Sequence, residues 1–237
     1  AAAAPSRRVV LPGVASGAGE RRLQILAPGD SDVIVRLRLL AESGPFVPAG
    51  MDVIQVAAGT VADVDLARFA GGENTAVELT ADGPVTAGLL ARVGTGAQLE
   101  ELAYTAAAQP LTAARPGVVA LATLGGATSG QLVLAAPGTA SATVQLAALP
   151  PGTAPPIEVT VAGGTQRAVD LAALTTGTAA VSIVPAAGSA PVFVARILSE
   201  AAPRGPLLTV TPILPARYTV LVPSVEGDLS TGLRAQP

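Results

Sequence analysis

Hydrophobic and polar residues alternate with a period of two along short stretches of this chain. The segment 33–40 reads VIVRLRLL, so Val33, Val35 and Leu37 share one face while Arg36 and Arg38 share the other. A period of two predicts β-strands with one buried face, because successive side chains of a strand point to opposite sides. Glycine and proline end most of these stretches, and no long stretch shows a helical period.

The same series of segments occurs twice. Leu23–Gly29, with sequence LQILAPG, opens the first copy, and Leu132–Gly138, with sequence LVLAAPG, opens the second. Further along, Val64–Ala67 (VDLA) is repeated as Val169–Ala172 (VDLA), at a slightly shorter spacing. The difference in length falls in connections rich in glycine and proline, where changes of length are tolerated. The chain therefore contains a duplicated β module.

The opening motif of the module recurs once more near the C-terminus, from residue 218. We therefore divide the chain into an N-terminal segment with one strand (1–20), a first β-sandwich repeat (21–125) and a second β-sandwich repeat with a C-terminal closing strand (126–237). The closing strand is expected to cover the open sheet edge of the second unit, and residues 117–122 are expected to pair with the first.

The pattern predicts an all-β fold with two tandem antiparallel, immunoglobulin-like β-sandwich repeats. The alternative is a β-propeller-like closed arrangement, since each unit divides into two sets of about four strands. Asp65 and its repeat Asp170 are predicted to lie at the surface. The predicted core positions, equivalent between the two units, are Val35, Leu37, Val64 and Leu66 in the first unit and Val144, Leu146, Val169 and Leu171 in the second.

Composition narrows the class of protein. Half of the 237 residues are hydrophobic and only 13% are charged, so the chain has ample material for buried cores. A net charge of −3 and a scarcity of aromatic residues argue against nucleic-acid binding. The cations are all arginine, which indicates a coding bias typical of actinobacteria. The absence of cysteine excludes disulfides and thiolate metal sites.

The turn and strand motifs resemble those of a family of actinobacterial extracytoplasmic proteins of uncharacterised function. They comprise Ala27-Pro28-Gly29, Ala136-Pro137-Gly138, Gly163-Gly164-Thr165, Val169-Asp170-Leu171 and Pro191–Arg196. The resemblance covers most of the chain from Leu23 onward, and it implies tandem β repeats in a secreted or envelope-tethered setting. It implies nothing about activity.

The inventory of reactive side chains is short. Without histidine or cysteine, the chain cannot form a Ser-His-Asp triad, a Cys-His pair or a histidine-ligated metal site. The paired carboxylates Asp63/Asp65, Glu100/Glu101 and Glu226/Asp228 could in principle serve acid–base chemistry. They are better interpreted as solvated side chains, and Asp30-Ser31-Asp32 as a β-turn rather than a calcium loop. We predict no catalytic, cofactor-binding or metal-ligating residue, and no enzymatic activity.

Four residues are candidate partner contacts: Arg92, Arg196, Tyr104 and Tyr218. Each arginine follows an alanine at the end of an apolar strand, as though one contact were repeated in both modules. We expect a non-catalytic extracytoplasmic interaction or scaffolding protein of the bacterial cell envelope, which binds an envelope protein or glycan. It would reach a membrane only through segments absent from this chain. The alternative is a carbohydrate-binding module acting on envelope glycans, which the few aromatic residues disfavour.

Overall fold

A computed structural model describes residues 4–70, 72–94, 100–121, 128–152, 155–174, 180–202 and 205–216. The described residues are nearly all β. The strands are β1 Ser6–Val14, β2 Glu20–Leu26, β3 Val33–Leu40, β4 Pro45–Phe46, β5 Ile54–Val56, β6 Val61–Asp65, β7 Thr75–Val93, β8 Glu101–Ala106, β9 Gly117–Ala120, β10 Thr128–Ala136, β11 Ala142–Leu149, β12 Ile157–Val161, β13 Thr165–Asp170, β14 Ala180–Pro185, β15 Phe193–Ala202 and β16 Gly205–Pro212. Short 3₁₀ helices span Ala67–Phe69 and Leu171–Leu174.

The first unit is an antiparallel sandwich of two sheets that share the long strand β7. In sheet A, the first part of β7 pairs with β1 and β3, and β3 also pairs with β4 and β5. In sheet B, the second part of β7 pairs with β2 and β8, and β2 also pairs with β6. Aliphatic side chains from both sheets form the core between them.

The second unit repeats this architecture with separate strands in place of β7. Sheet C has the strand order β13-β10-β15-β16, and sheet D has the order β12-β11-β14-β9. Sheet C therefore corresponds to sheet B, and sheet D corresponds to sheet A. A second aliphatic core lies between C and D. The predicted all-β sandwich fold is confirmed. The propeller alternative is wrong, since the described residues form open, packed sheets instead of a closed ring.

The predicted core positions are confirmed in both units. Val35, Leu37 and Leu66 are buried in the first core, as are Val144, Leu146 and Leu171 in the second. Val64 and Val169 are both partly buried against their respective cores. Asp65 and Asp170 are both exposed, and their carboxylates accept hydrogen bonds from the Ala67 and Ala172 amides at 2.9 and 2.8 Å.

The two sandwiches form a stack in which sheet A packs on sheet C, and β8 of sheet B also lies beside β16 of sheet C. The outer face of a sheet is the face turned away from the core of its own sandwich. The outer face of sheet A meets the outer face of sheet C through two small apolar clusters. One contains Val10, Leu40 and Ala76 of sheet A with Ala135 and Phe193 of sheet C. The inner sheets A and C are thus buried on both faces where they touch, which explains the unbroken apolar run LVLAA at residues 132–136.

Close approach of the two sandwiches depends on Gly13 in β1. Its φ of +80° is unfavourable for other residues, and an added Cβ would lie 2.9 Å from the Cβ of Ala195 and 3.2 Å from Cγ1 of Val210. The backbone of β1 therefore lies directly against side chains of sheet C.

The structure corrects one predicted strand pairing. Residues 117–122 were expected to pair with the first unit, but β9 pairs with β14 of the second, with Val119 opposite Val181. In the same way, β1 pairs with β7 of the first unit. Each unit thus contributes its own opening strand to its own sheet. The predicted closing strand after residue 217 lies outside the described residues.

Within the described part of the chain, no helix is long and apolar enough to cross a membrane.

Candidate binding cleft

The outer face of sheet A is only half covered by the second unit. Sheet C covers the end that carries Val10, Leu40 and Ala76. The other end, with Arg36 and Arg38 on β3 beside Glu78 and Thr80 on β7, borders a cleft of about 560 Å³. We call this the arginine cleft, and its lining residues are Arg36, Leu37, Arg38, Val47, Asp52, Val53, Glu78 and Thr80.

A buried carboxylate organises the arginines at the cleft. Glu78 is 3% exposed and lies between two guanidinium groups. Arg8 donates to Oε1 from Nε at 2.9 Å and from Nη2 at 2.6 Å, and Arg38 donates to Oε2 from Nε at 3.0 Å and also from Nη2. Charge-assisted bonds of this kind fix both arginine side chains, so their remaining N–H groups are held in place.

Arg36 differs from its two neighbours. It lies opposite Thr80 across the β3–β7 pair, its side chain is exposed, and it forms no ion pair within the described residues. The loop between β4 and β5 contributes Val47 and Val53 to the cleft, and these residues are 50% and 52% exposed. The cleft therefore combines an arginine without an ion partner with two exposed aliphatic side chains, Val47 and Val53, which we call the aliphatic lip.

The second unit does not reproduce this chemistry. Strand register places Gln145 and Ala147 of sheet D where sheet A has Arg36 and Arg38, and Ser182 where it has Glu78. The outer face of sheet D therefore lacks the three charges, although its backbone is equivalent. The arginine cleft is a property of the first unit.

Arg92 and Arg196 do not occupy equivalent positions. Leu23 and Leu132 match in the repeat, but Leu23 pairs with Leu89, whereas Leu132 pairs with Arg196. The predicted equivalence is wrong by three residues, because β7 continues without interruption from sheet A into sheet B. In the second unit, the chain leaves sheet D after β14 and enters sheet C as β15, with a turn between the two strands.

The two arginines also differ in their contacts. Arg92 pairs with Glu20, Nη1 to Oε1, at 3.0 Å, on the outer face of sheet B. Arg196 points into the second sandwich, where Nη1 donates to the Ala120 carbonyl at 2.7 Å. Both contacts are local to their own unit. Their predicted role as partner contacts stays a prediction.

Tyr104, another predicted partner contact, lies on β8 and is 61% exposed on the outer face of sheet B, away from the arginine cleft. Tyr218 lies outside the described residues.

The described candidate carboxylates make local contacts within the first unit. Asp63 pairs with Arg22 at 3.0 Å, which raises the pKa of that guanidinium. Glu101 accepts the Leu102 amide at 2.7 Å, and Asp32 accepts the Ala58 amide at 3.0 Å. Among the described residues, no cluster of three or more acidic side chains could hold a metal ion. Glu226 and Asp228 lie outside the described residues.

Arg21 is a structural residue that the sequence pattern did not single out. It is 1% exposed on the core face of β2, and its guanidinium donates to the carbonyls of Ala15, Ser16, Glu20 and Arg92 at 2.8 to 3.2 Å. Burial lowers its pKa from the usual arginine value. These hydrogen bonds connect the loop after β1 to the second part of β7. In the second unit, Arg196 makes a comparable hydrogen bond to the end of β9.

Alternation identified Arg36 and Arg38 as neighbours on one strand face, but it did not identify their partners. The sequence did contain one indication of a buried ion pair: Glu78 is a lone carboxylate in the apolar segment 75–79, TAVEL. A charge at such a position is rarely buried unless it is paired. The contact of Arg8 with Glu78 could not be predicted, because β1 and β7 pair although they are far apart in the sequence.

These features define an all-β protein of two stacked sandwiches with an arginine-lined cleft on its inner sheet. The chain belongs to DUF5719, a family of unknown function, which matches residues 1–125. The crystal structure of Thermotoga maritima 1070 is similar over 44% of this chain and 93% of its own, with 16% identity and a TM-score of 0.38. No curated protein matches the sequence.

Proposed function

We propose that this protein is a non-catalytic, extracytoplasmic interaction protein of the bacterial cell envelope, which binds an acidic segment of a partner protein in the arginine cleft. One observation carries the proposal. Arg36 is exposed and without an ion partner in the described residues, beside two arginines held in place by the buried Glu78. This arrangement is suited to an external carboxylate.

The electrostatics favour an anionic ligand. Arg8, Arg36 and Arg38 carry three positive charges, and Glu78 neutralises only one of them. The lining residues Arg36 and Arg38 are matched in number by Glu78 and Asp52, and the local excess of one positive charge comes from Arg8, which binds the other oxygen of Glu78. A guanidinium binds a carboxylate through two parallel N–H groups, which gives direction as well as attraction.

The aliphatic lip favours a peptide over a simple anion. Val47 and Val53 stand exposed beside the arginines, where they could cover an apolar side chain of the ligand. An acidic residue next to an aliphatic or aromatic residue would satisfy both parts of the cleft. The extracytoplasmic setting rests on the resemblance of the turn and strand motifs described above.

The glycan alternative has less support from the site. Sugars usually stack on exposed aromatic rings, and Tyr104 lies on sheet B, away from the cleft. Envelope glycans with carboxylate or phosphate groups are nevertheless a useful comparison in a binding assay, since the arginines would attract them as well.

Arg36→Glu is expected to weaken binding of acidic peptides at least about tenfold, because a charge-assisted hydrogen bond contributes about 1.5–3 kcal/mol. The measurement is fluorescence anisotropy with a panel of short peptides that carry aspartate or glutamate beside leucine or phenylalanine. Arg167→Glu is the matched control, since Arg167 is exposed on β13 and outside the cleft. It makes the same change in net charge.

Equal loss of affinity in both variants would mean that only net charge matters, and the cleft would not be the site. Binding of acidic glycans but of none of the peptides would favour the carbohydrate-binding alternative.

A further inference from the structure

The outer faces of sheets B and D are exposed. By the internal repeat, they correspond to the outer faces of sheets C and A, which are buried against each other between the two sandwiches. Inside the chain, the outer face of sheet A packs on the outer face of sheet C. Sheet D is the repeat of sheet A, and sheet B is the repeat of sheet C. The outer face of D carries the exposed Val118, and the outer face of B carries the exposed Tyr104. Each is thus the repeat-equivalent of one of the two sheet faces that meet inside the chain.

The outer face of sheet D keeps the apolar character of its counterpart. Matched strand registers place three of its residues where sheet A buries side chains against sheet C. These pairs are Val10 with Val118, Leu40 with Leu149, and Ala76 with Ala180. The sheet A residues are at most 1% exposed, whereas Val118 is 42% exposed and Leu149 and Ala180 are half-buried.

The outer face of sheet B keeps part of the complementary surface. The strand pairings of sheets C and B can be superposed, and this gives the position in sheet B that is equivalent to each residue of sheet C. The pairs are Ala135 with Leu26, Ala195 with Gly88, Ile197 with Leu90, and Val210 with Tyr104. Tyr104 is 61% exposed and Leu26 and Leu90 are half-buried, so this face also carries apolar surface open to solvent. Gly88 occupies the position of Ala195, so another sheet could come equally close to the backbone there.

We propose that the protein associates head to tail, with sheet D of one copy docking on sheet B of the next. The occupant of each free face is a second copy, because that copy presents the repeat-equivalent of the surface that covers sheet A. This goes beyond the proposed function and uses faces other than the arginine cleft.

The two docking faces are different surfaces, so the contact is heterologous. Such a contact extends into chains of copies unless the rotation happens to close a ring. Sheet B has Gln24 and Thr86 where sheet C has Val133 and Phe193, so the contact between copies is weaker than the one within the chain.

Sedimentation velocity tests the proposal with four samples of the full chain, over about 1 µM to 1 mM, a range that covers weak contacts. Wild type is expected to sediment faster as concentration rises. Ala180→Arg blocks sheet D and Tyr104→Arg blocks sheet B, so each variant alone is expected to stay monomeric. A mixture of the two variants has one usable D face and one usable B face, and it is expected to form dimers that do not extend further.

Several outcomes would overturn the proposal. They are a wild type that stays monomeric across the range, a single variant that still associates, and a mixture that stays monomeric. Association of Tyr104→Arg alone would indicate a symmetric contact between two D faces. Val118→Arg and Leu90→Arg repeat the design at neighbouring positions, and unchanged thermal unfolding of each monomer excludes misfolding as the cause.

Discussion

Replacing Ala76 with arginine is expected to lower the free energy of unfolding by about 3–5 kcal/mol, because it buries a charge without a partner between sheets A and C. Ala76 is fully buried in the contact between the two sandwiches, together with Val10 and Leu40. We expect thermal unfolding to change from one transition to two, as the sandwiches separate and melt independently. Differential scanning calorimetry measures both effects.

Ala180→Arg is the matched control, since Ala180 is the repeat-equivalent of Ala76 and faces the free side of sheet D. The same substitution there leaves the arginine head in water, and unfolding should change little. If both variants unfold like the wild type, the packing of sheet A on sheet C contributes nothing, and the stack described above is wrong.

Glu78→Gln is expected to lower the free energy of unfolding by about 1.5–3 kcal/mol, the range for hydrogen bonds to charged groups. The neutral amide would leave Arg8 and Arg38 facing each other without the carboxylate that accepts from both. The effect is smaller than for a fully buried pair, because the arginine side chains are 48% and 35% exposed. Urea unfolding at low and high salt measures it.

The exposed pair of Arg22 and Asp63, at 3.0 Å, provides the comparison for Glu78. Asp63→Asn is expected to change stability little, since surface ion pairs contribute little in water. An equal loss of stability in both variants would mean that the burial of Glu78 does not matter.

Much of the fold could be predicted because the module repeats. Alternation in the segment 33–40 placed Val35 and Leu37 in the core, and the repeated Val-Asp-Leu located Leu66 and Leu171. The registers of the two units agree at these positions, since one pattern of hydrophobic side chains must fit one pair of sheets.

The contact between the units could not be predicted in the same way. Val10 and Ala76 lie on the outer face of their sheet and are buried only because sheet C happens to cover them. A period-two pattern indicates one buried face, and it does not say which outer faces receive another sheet. The apolar run at 132–136 was the trace of this second burial.

The candidate site was predictable only in part. Arg36 and Arg38 were identified as neighbours on one face, but the cleft also needs Glu78 from β7 and the loop that carries Val53. These segments meet through pairings distant in sequence. The same limitation misplaced Arg196 relative to Arg92, because the turn after β14 has three more residues than the matching part of the continuous β7.

The most direct test of the central claim is a titration of the isotope-labelled 23.1 kDa protein with the tightest acidic peptide, followed by nuclear magnetic resonance of backbone amides. The account predicts that shifts concentrate on β3, on the first part of β7 and on the β4–β5 loop, around Arg36, Thr80 and Val53. Shifts confined to the outer faces of sheets B or D, with the amides around Arg36 unchanged, would contradict it.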